Sequence, residues 1–149
     1  MSEARSHFSE HTFLEHEADI GLRAAGDCWG CAFSAGAAGM LEVMAEPASV
    51  RAVDERRIEL TGGDIGCLFV AWLNELLYLR DAEDMLFSSC DVKISRGEEG
   101  RLNLTATVLG EPLCPERHGL KTEVKAATFS GLRYEEKGGR CWVQCLLDL

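Results

Sequence analysis

Apolar and polar residues alternate between Thr12 and Gly26. Leu14, His16, Ala18, Ile20, Leu22 and Ala24 share one parity, and Glu15, Glu17, Asp19, Gly21 and Arg23 share the other. A period of two predicts a strand, or two short strands about a bend, with one face buried. The period then lengthens. From Cys28 to Ala45, Trp29, Phe33, Ala37, Met40, Leu41 and Met44 fall at helical spacing, with Asp27 the expected N-cap and Pro47 the stop. Val50 to Leu60 alternates more weakly among charges and is expected to be an edge strand. After a turn at Thr61-Gly62-Gly63, Asp64 is the expected N-cap of the strongest helical stripe, Ile65 to Arg80. Beyond the acidic link Asp81–Asp84 the chain reads as strands. Leu86–Ser95 and Leu102–Val108 flank a turn at Gly97–Gly100, Gly110–Gly119 is a long loop, and Thr122–Tyr134 and Arg140–Leu149 flank Gly138-Gly139. The predicted fold is α+β: a single domain with a mostly antiparallel sheet of about seven strands and two helices packed on it.

The length of 149 residues fits one domain, expected over residues 12–149 behind a polar lead-in at 1–11. Acidic residues outnumber basic ones 25 to 15, giving a formal charge of −10. That surplus repels phosphate backbones, so no strong direct nucleic-acid binding is expected. The seven cysteines are an odd, scattered set, unlike a secreted disulfide framework. Cys67, Cys141 and Cys145 lie in apolar runs and are expected to pack as buried hydrophobes. No secretory h-region precedes Thr12, and Ile65–Leu79 is too short and too interrupted to span a bilayer. The expected setting is the cytoplasm, with no membrane partner.

Four segments carry candidate chemistry. Cys28-Trp29-Gly30-Cys31 places two thiols at a helix start, where the dipole favours a thiolate, but the following order of elements is not that of a thioredoxin-like unit. A zinc reading lacks a second ligand pair, since Cys141 and Cys145 on one strand stand ~13 Å apart. Leu14–Gly21 gathers Glu15, Glu17 and Asp19 around His16, and bunched carboxylates call for a cation or a solvated face. At the C-terminus, Asp148 and the α-carboxylate of Leu149 end a strand that keeps its apolar alternation, and oxygen ligands of this kind suit Ca²⁺ or Mg²⁺. Finally, Glu116-Arg117-His118 with Lys121, Glu123 and Lys125 concentrates positive charge, as a partner-facing patch or a loop ion-pair cluster. No Gly-rich phosphate loop and no nucleophile–base pair is fixed by spacing, so a non-catalytic protein is expected.

Several pieces together resemble the archease family. They are Leu14-Glu15-His16-x-Ala18-Asp19-Ile20-Gly21, Leu41-Glu42-Val43-Met44, Trp72-Leu73-Asn74-Glu75-Leu76-Leu77-Tyr78 and Gly110-Glu111. Arg117-His118, Thr122-Glu123-Val124-Lys125-Ala126-x-Thr128 and Val143-x-x-x-x-Asp148-Leu149 follow in family order. The resemblance implies a small α+β protein that activates the tRNA-splicing RNA ligase, the enzyme joining 2′,3′-cyclic-phosphate or 3′-phosphate ends to 5′-hydroxyl ends. Such activators promote guanylylation of the ligase and its multiple turnover. It also implies a divalent cation, Ca²⁺ first and Mg²⁺ second, held by Asp19, Asp148 and the carboxylate of Leu149. His118, Lys121 and Lys125 are the expected partner contacts. Alternatives are a chaperone or specificity modulator of a tRNA-modifying methyltransferase, and a thiol-redox protein using Cys28 and Cys31. The chain departs from the family pattern at Glu17, Cys114 and Phe129, and the CWGC stretch is not a family feature.

Overall fold

The computed structural model describes residues 8–15 and 19–149. The element order is β1 (Ser9–Glu15), β2 (Asp19–Gly26), α1 (Trp29–Met44), β3 (Asp54–Gly62), α2 (Ile65–Glu83), β4 (Met85–Arg96), β5 (Leu102–Pro112), a short α3 (Pro115–His118), β6 (Ala126–Lys137) and β7 (Arg140–Asp148). The α+β class and the seven strands are as expected. The strands divide between two antiparallel sheets, a four-stranded one in the order β1-β2-β7-β6 and a three-stranded one in the order β3-β5-β4. β3 is an edge strand, as its weak alternation predicted. β1 starts at Ser9, within the expected lead-in, and residues 1–7 of that lead-in lie outside the described residues. The expected loop at Gly110–Gly119 is instead the end of β5 followed by the α3 turn.

Each long helix touches strands of both sheets. The composition of α1 permits this. Ala32, Ala35, Gly36, Ala37 and Gly39 are small and buried, so strands and α2 approach its axis closely. Phe33 on α1 meets Phe69 on α2 edge to face, ring centroids 5.1 Å apart, and the buried Trp72 indole N–H donates to the Phe33 carbonyl at 2.9 Å. The strands supply the other walls. In β7, Cys141, Val143, Cys145 and Leu147 point inward while the residues between them are partly exposed. Gly138 and Gly139, at φ 60° and 76°, close the two-residue β6–β7 turn, a conformation that suits glycine at both positions.

Candidate functional site

β2 and β7 are the two inner strands of the four-stranded sheet, and their register brings residues from the two ends of the sequence side by side. Ile20 pairs with Leu147 and packs on the core, which fixes the phase of both strands. The next pair is Asp19 with Asp148. Directly paired residues point to the same face, with Cβ atoms ~5 Å apart. β6 holds Asp148 from its other side: Ala126 pairs with it, and the Lys125 N–H donates to its carbonyl at 2.8 Å. Leu149 then packs, half-buried, against the core.

Two like charges facing each other across a ladder destabilise the pair. Among the described residues neither aspartate takes part in an ion pair with a basic side chain. The donors are oxygen only, which fits a hard cation and not a soft one. Among the described residues no three Asp, Glu, His or Cys side chains gather as a complete metal cluster. The main chain of Leu149 follows Asp148 directly in sequence. His16 and Glu17 of the first acidic candidate, and the side chain of Glu15, lie outside the described residues.

His118 is not a partner contact. Its side chain has no exposed surface. Nδ1 accepts the Cys114 N–H at 2.9 Å, so the ring proton sits on Nε2, which donates to Glu111 Oε2 at 2.8 Å. Glu111 is buried as well. Arg117 grips it with Nη1 on Oε2 and Nη2 on Oε1, each at 2.8 Å, and the Arg51 N–H donates to Oε2 at 2.8 Å. The Arg117 fork and the His118 donor hold the Glu111 carboxyl far below the usual carboxylate range. The cluster is a joint: it fastens α3 and the end of β5 to the segment at Pro47–Arg51. Lys121 and Lys125 do remain exposed. The Lys121 N–H donates to the Met44 carbonyl at the end of α1, and its ammonium lies 3.8 Å from Glu46. The next residues form one wall of an open cleft of about 420 Å³ lined by Met44, Arg80, Asp81, Leu86 and Leu120 among others. Sequence reasoning missed this cleft. Its one signal was Arg80, polar and off the apolar stripe of α2, whose guanidinium donates to the Val124 carbonyl at 2.8 Å.

The cysteines divide. Cys141 and Cys145 are buried, as expected, and burial pushes their thiols up to about 11 and about 12. Cys67 is exposed, contrary to expectation, because it faces outward on the first turn of α2. Cys28, not Asp27, caps α1: its sulfur accepts the Cys31 N–H at 3.3 Å. Asp27 instead accepts the Phe8 N–H at 2.8 Å.

The model of the archease protein family matches residues 11–149. A curated relative, the archease of Methanosarcina mazei, is 35% identical over 140 residues, covering 94% of this chain and 96% of that protein. That of Methanothermobacter thermautotrophicus is 39% identical over 137 residues, covering 92% and 96%. The solution structure of Methanobacterium thermoautotrophicum protein 1598 superposes with a TM-score of 0.81 at 38% identity, covering 95% of this chain and 98% of that one. The crystal structure of a Thermotoga maritima archease, described there as a possible chaperone, shares the fold with a TM-score of 0.58 at 19% identity, covering 91% and 94%.

Proposed function

This chain belongs to the archease family, and from that membership we propose that it is a non-catalytic accessory protein that activates a tRNA-splicing RNA ligase. The observation that supports this reading most is the pairing of Asp19 with Asp148. Asp19, Asp148 and the main-chain carboxylate of Leu149 hold a divalent cation, Ca²⁺ or Mg²⁺. When bound, the ion supplies positive charge to an otherwise acidic end of the sheet. The protein's own part is to orient the carboxylates. Ile20, Leu147 and Leu149 anchor the strand ends in the core, and β6 clamps Asp148 from the side opposite β2. The charge of −10 suits a protein partner that is basic because it handles RNA. Lys125, whose amide bonds Asp148, and Lys121 on the same connecting segment are the side chains that contact it.

The test is multiple-turnover ligation by the partner ligase with Asp19→Ala, or with one residue added after Leu149. Activation is expected to fall sharply in both while single-turnover ligation persists. Undiminished activation by both proteins would overturn the reading. Capture of a tRNA methyltransferase in place of the ligase, in a pull-down from lysate, would overturn the choice of partner.

A further inference from the structure

We propose that Cys28 and Cys31 are a dithiol site that forms a reversible intramolecular disulfide by exchange with a low-molecular-weight disulfide of the glutathione class. The site follows from helix geometry. An N-cap side chain reaches back over the third residue of its helix. With Cys28 as the cap, that residue is Cys31, and the two sulfurs stand 3.0 Å apart. A disulfide bond is about 2.05 Å long, so closure takes about 1 Å of approach between the two sulfurs.

Two glycines hold the pair in place. A side chain on Gly26, where β2 ends, would strike the Cβ of Cys31 at 2.6 Å. One on Gly30 would strike the Val92 carbonyl of β4. Both positions are bare, so the first turn of α1 sits tightly against the two sheets with its sulfurs facing each other. The sulfurs are unequal. Cys28 is exposed and Cys31 is partly covered. Burial and the neighbouring Cys28 sulfur push the Cys31 thiol up to about 11, and the exposed Cys28 is the sulfur that meets an incoming disulfide.

The Cys28 thiolate attacks one sulfur of glutathione disulfide, whose S–S bond breaks and releases one glutathione thiolate. Cys31 then gives its proton to solvent and attacks the Cys28 sulfur. The Cys28–Cys31 bond forms and the second glutathione leaves. Two protein thiols are oxidised, one glutathione disulfide is reduced to two thiols, and the same steps reverse when reduced glutathione is in excess.

The chain contains its own control. Cys67 is also exposed and also the third residue of a helix, but the cap above it is Asp64, whose Oδ1 accepts the Cys67 N–H at 2.8 Å. A carboxylate cannot resolve a mixed disulfide, so glutathione on Cys67 stays there. The experiment incubates the reduced full-length protein with glutathione disulfide at neutral pH, quenches with acid, alkylates, and maps peptides by mass. The expected result is a linkage within the peptide carrying residues 28–31, two hydrogens lighter, beside a lasting glutathione adduct on Cys67. Dithiothreitol reverses both, and Cys31→Ser traps the adduct on Cys28. A glutathione adduct that persists on Cys28 in the unmodified protein would overturn the proposal. So would free thiols at both positions after Cys67 has reacted. Neither readout depends on ligase activation, so the outcome is separable from the accessory role.

Discussion

At the scale of single residues, the buried acid–base joint governs how the protein responds to pH. Glu111 accepts four hydrogen bonds, from the Arg51 amide, His118 and the two Arg117 nitrogens. Its carboxyl titrates far below the ~4.3 of an unfolded glutamate. A carboxyl with a depressed native pKa adds stability that is complete above the unfolded value and is lost as the pH falls toward the native one. Thermal midpoints measured from pH 7 down to pH 3 are therefore expected to fall steeply below pH ~4. Glu111→Gln is expected to have a lower midpoint at neutral pH and a flatter acid limb. A parallel acid limb in that variant would show that other carboxylates carry the effect. The sequence displays Arg117 and His118 in a basic stretch that reads either as a partner-facing patch or as a loop ion-pair cluster, without naming the carboxylate they would pair with. What engages them is Glu111, six and seven residues earlier in a Gly-Glu-Pro, together with the backbone of Ser49–Arg51, and of the two only His118 is buried. Nothing in the local pattern announces such a tertiary partner.

At the scale of elements, the caps separate what local sequence decides from what it does not. Asp64 is the N-cap of α2 as its spacing predicted, and the α2 stripe is buried from Ile65 to Leu79. Asp64→Ala is expected to cost about 1 kcal/mol in urea unfolding. At α1 the cap is a sulfur, a weak acceptor, so Cys28→Ala is expected to cost less than Asp64→Ala in the same assay. Equal losses would mean that the Cys28 cap is worth as much as a carboxylate. Asp27 was the better cap by residue type. It is drawn off by a contact that the sequence does not display, the reciprocal pairing of its carboxylate and amide with the Phe8 backbone. Packing makes a sharper demand one turn later. Gly30→Ala places a methyl group against the Val92 carbonyl, a backbone atom that cannot swing aside. Overpacking of this kind costs about 1–3 kcal/mol, against a small gain in helix propensity, so a stabilised variant would show that α1 rides further from β4 than its contacts indicate.

At the scale of the whole molecule, alternation along each strand tells which face is buried but not which strand lies beside which. The division into two sheets, with both helices touching each, was therefore not legible before the fold was seen. The meeting of the two chain ends was legible only through the family resemblance, which implies one cation held by Asp19, Asp148 and the carboxylate of Leu149; the acidic segments by themselves left a solvated face as open as a cation site. The register places Asp19 opposite Asp148 on the inner strands of one sheet, so an ion held by both would bind the folded chain and not the unfolded one. Such binding stabilises by about 2.7 kcal/mol when the free ion stands at 100 times its dissociation constant. Calcium is accordingly expected to raise the melting temperature above its value in a chelator, while Asp19→Asn and Asp148→Asn each lose most of that rise. The double variant is expected to lose no more than either single one, because residues sharing one ligand are not additive. In the chelator the order reverses: Asp19→Asn melts slightly above the unmodified protein, since removing one of two facing charges relieves their repulsion. A calcium increment that survives both substitutions would place the ion elsewhere and leave the two aspartates as an unrelieved like-charge pair.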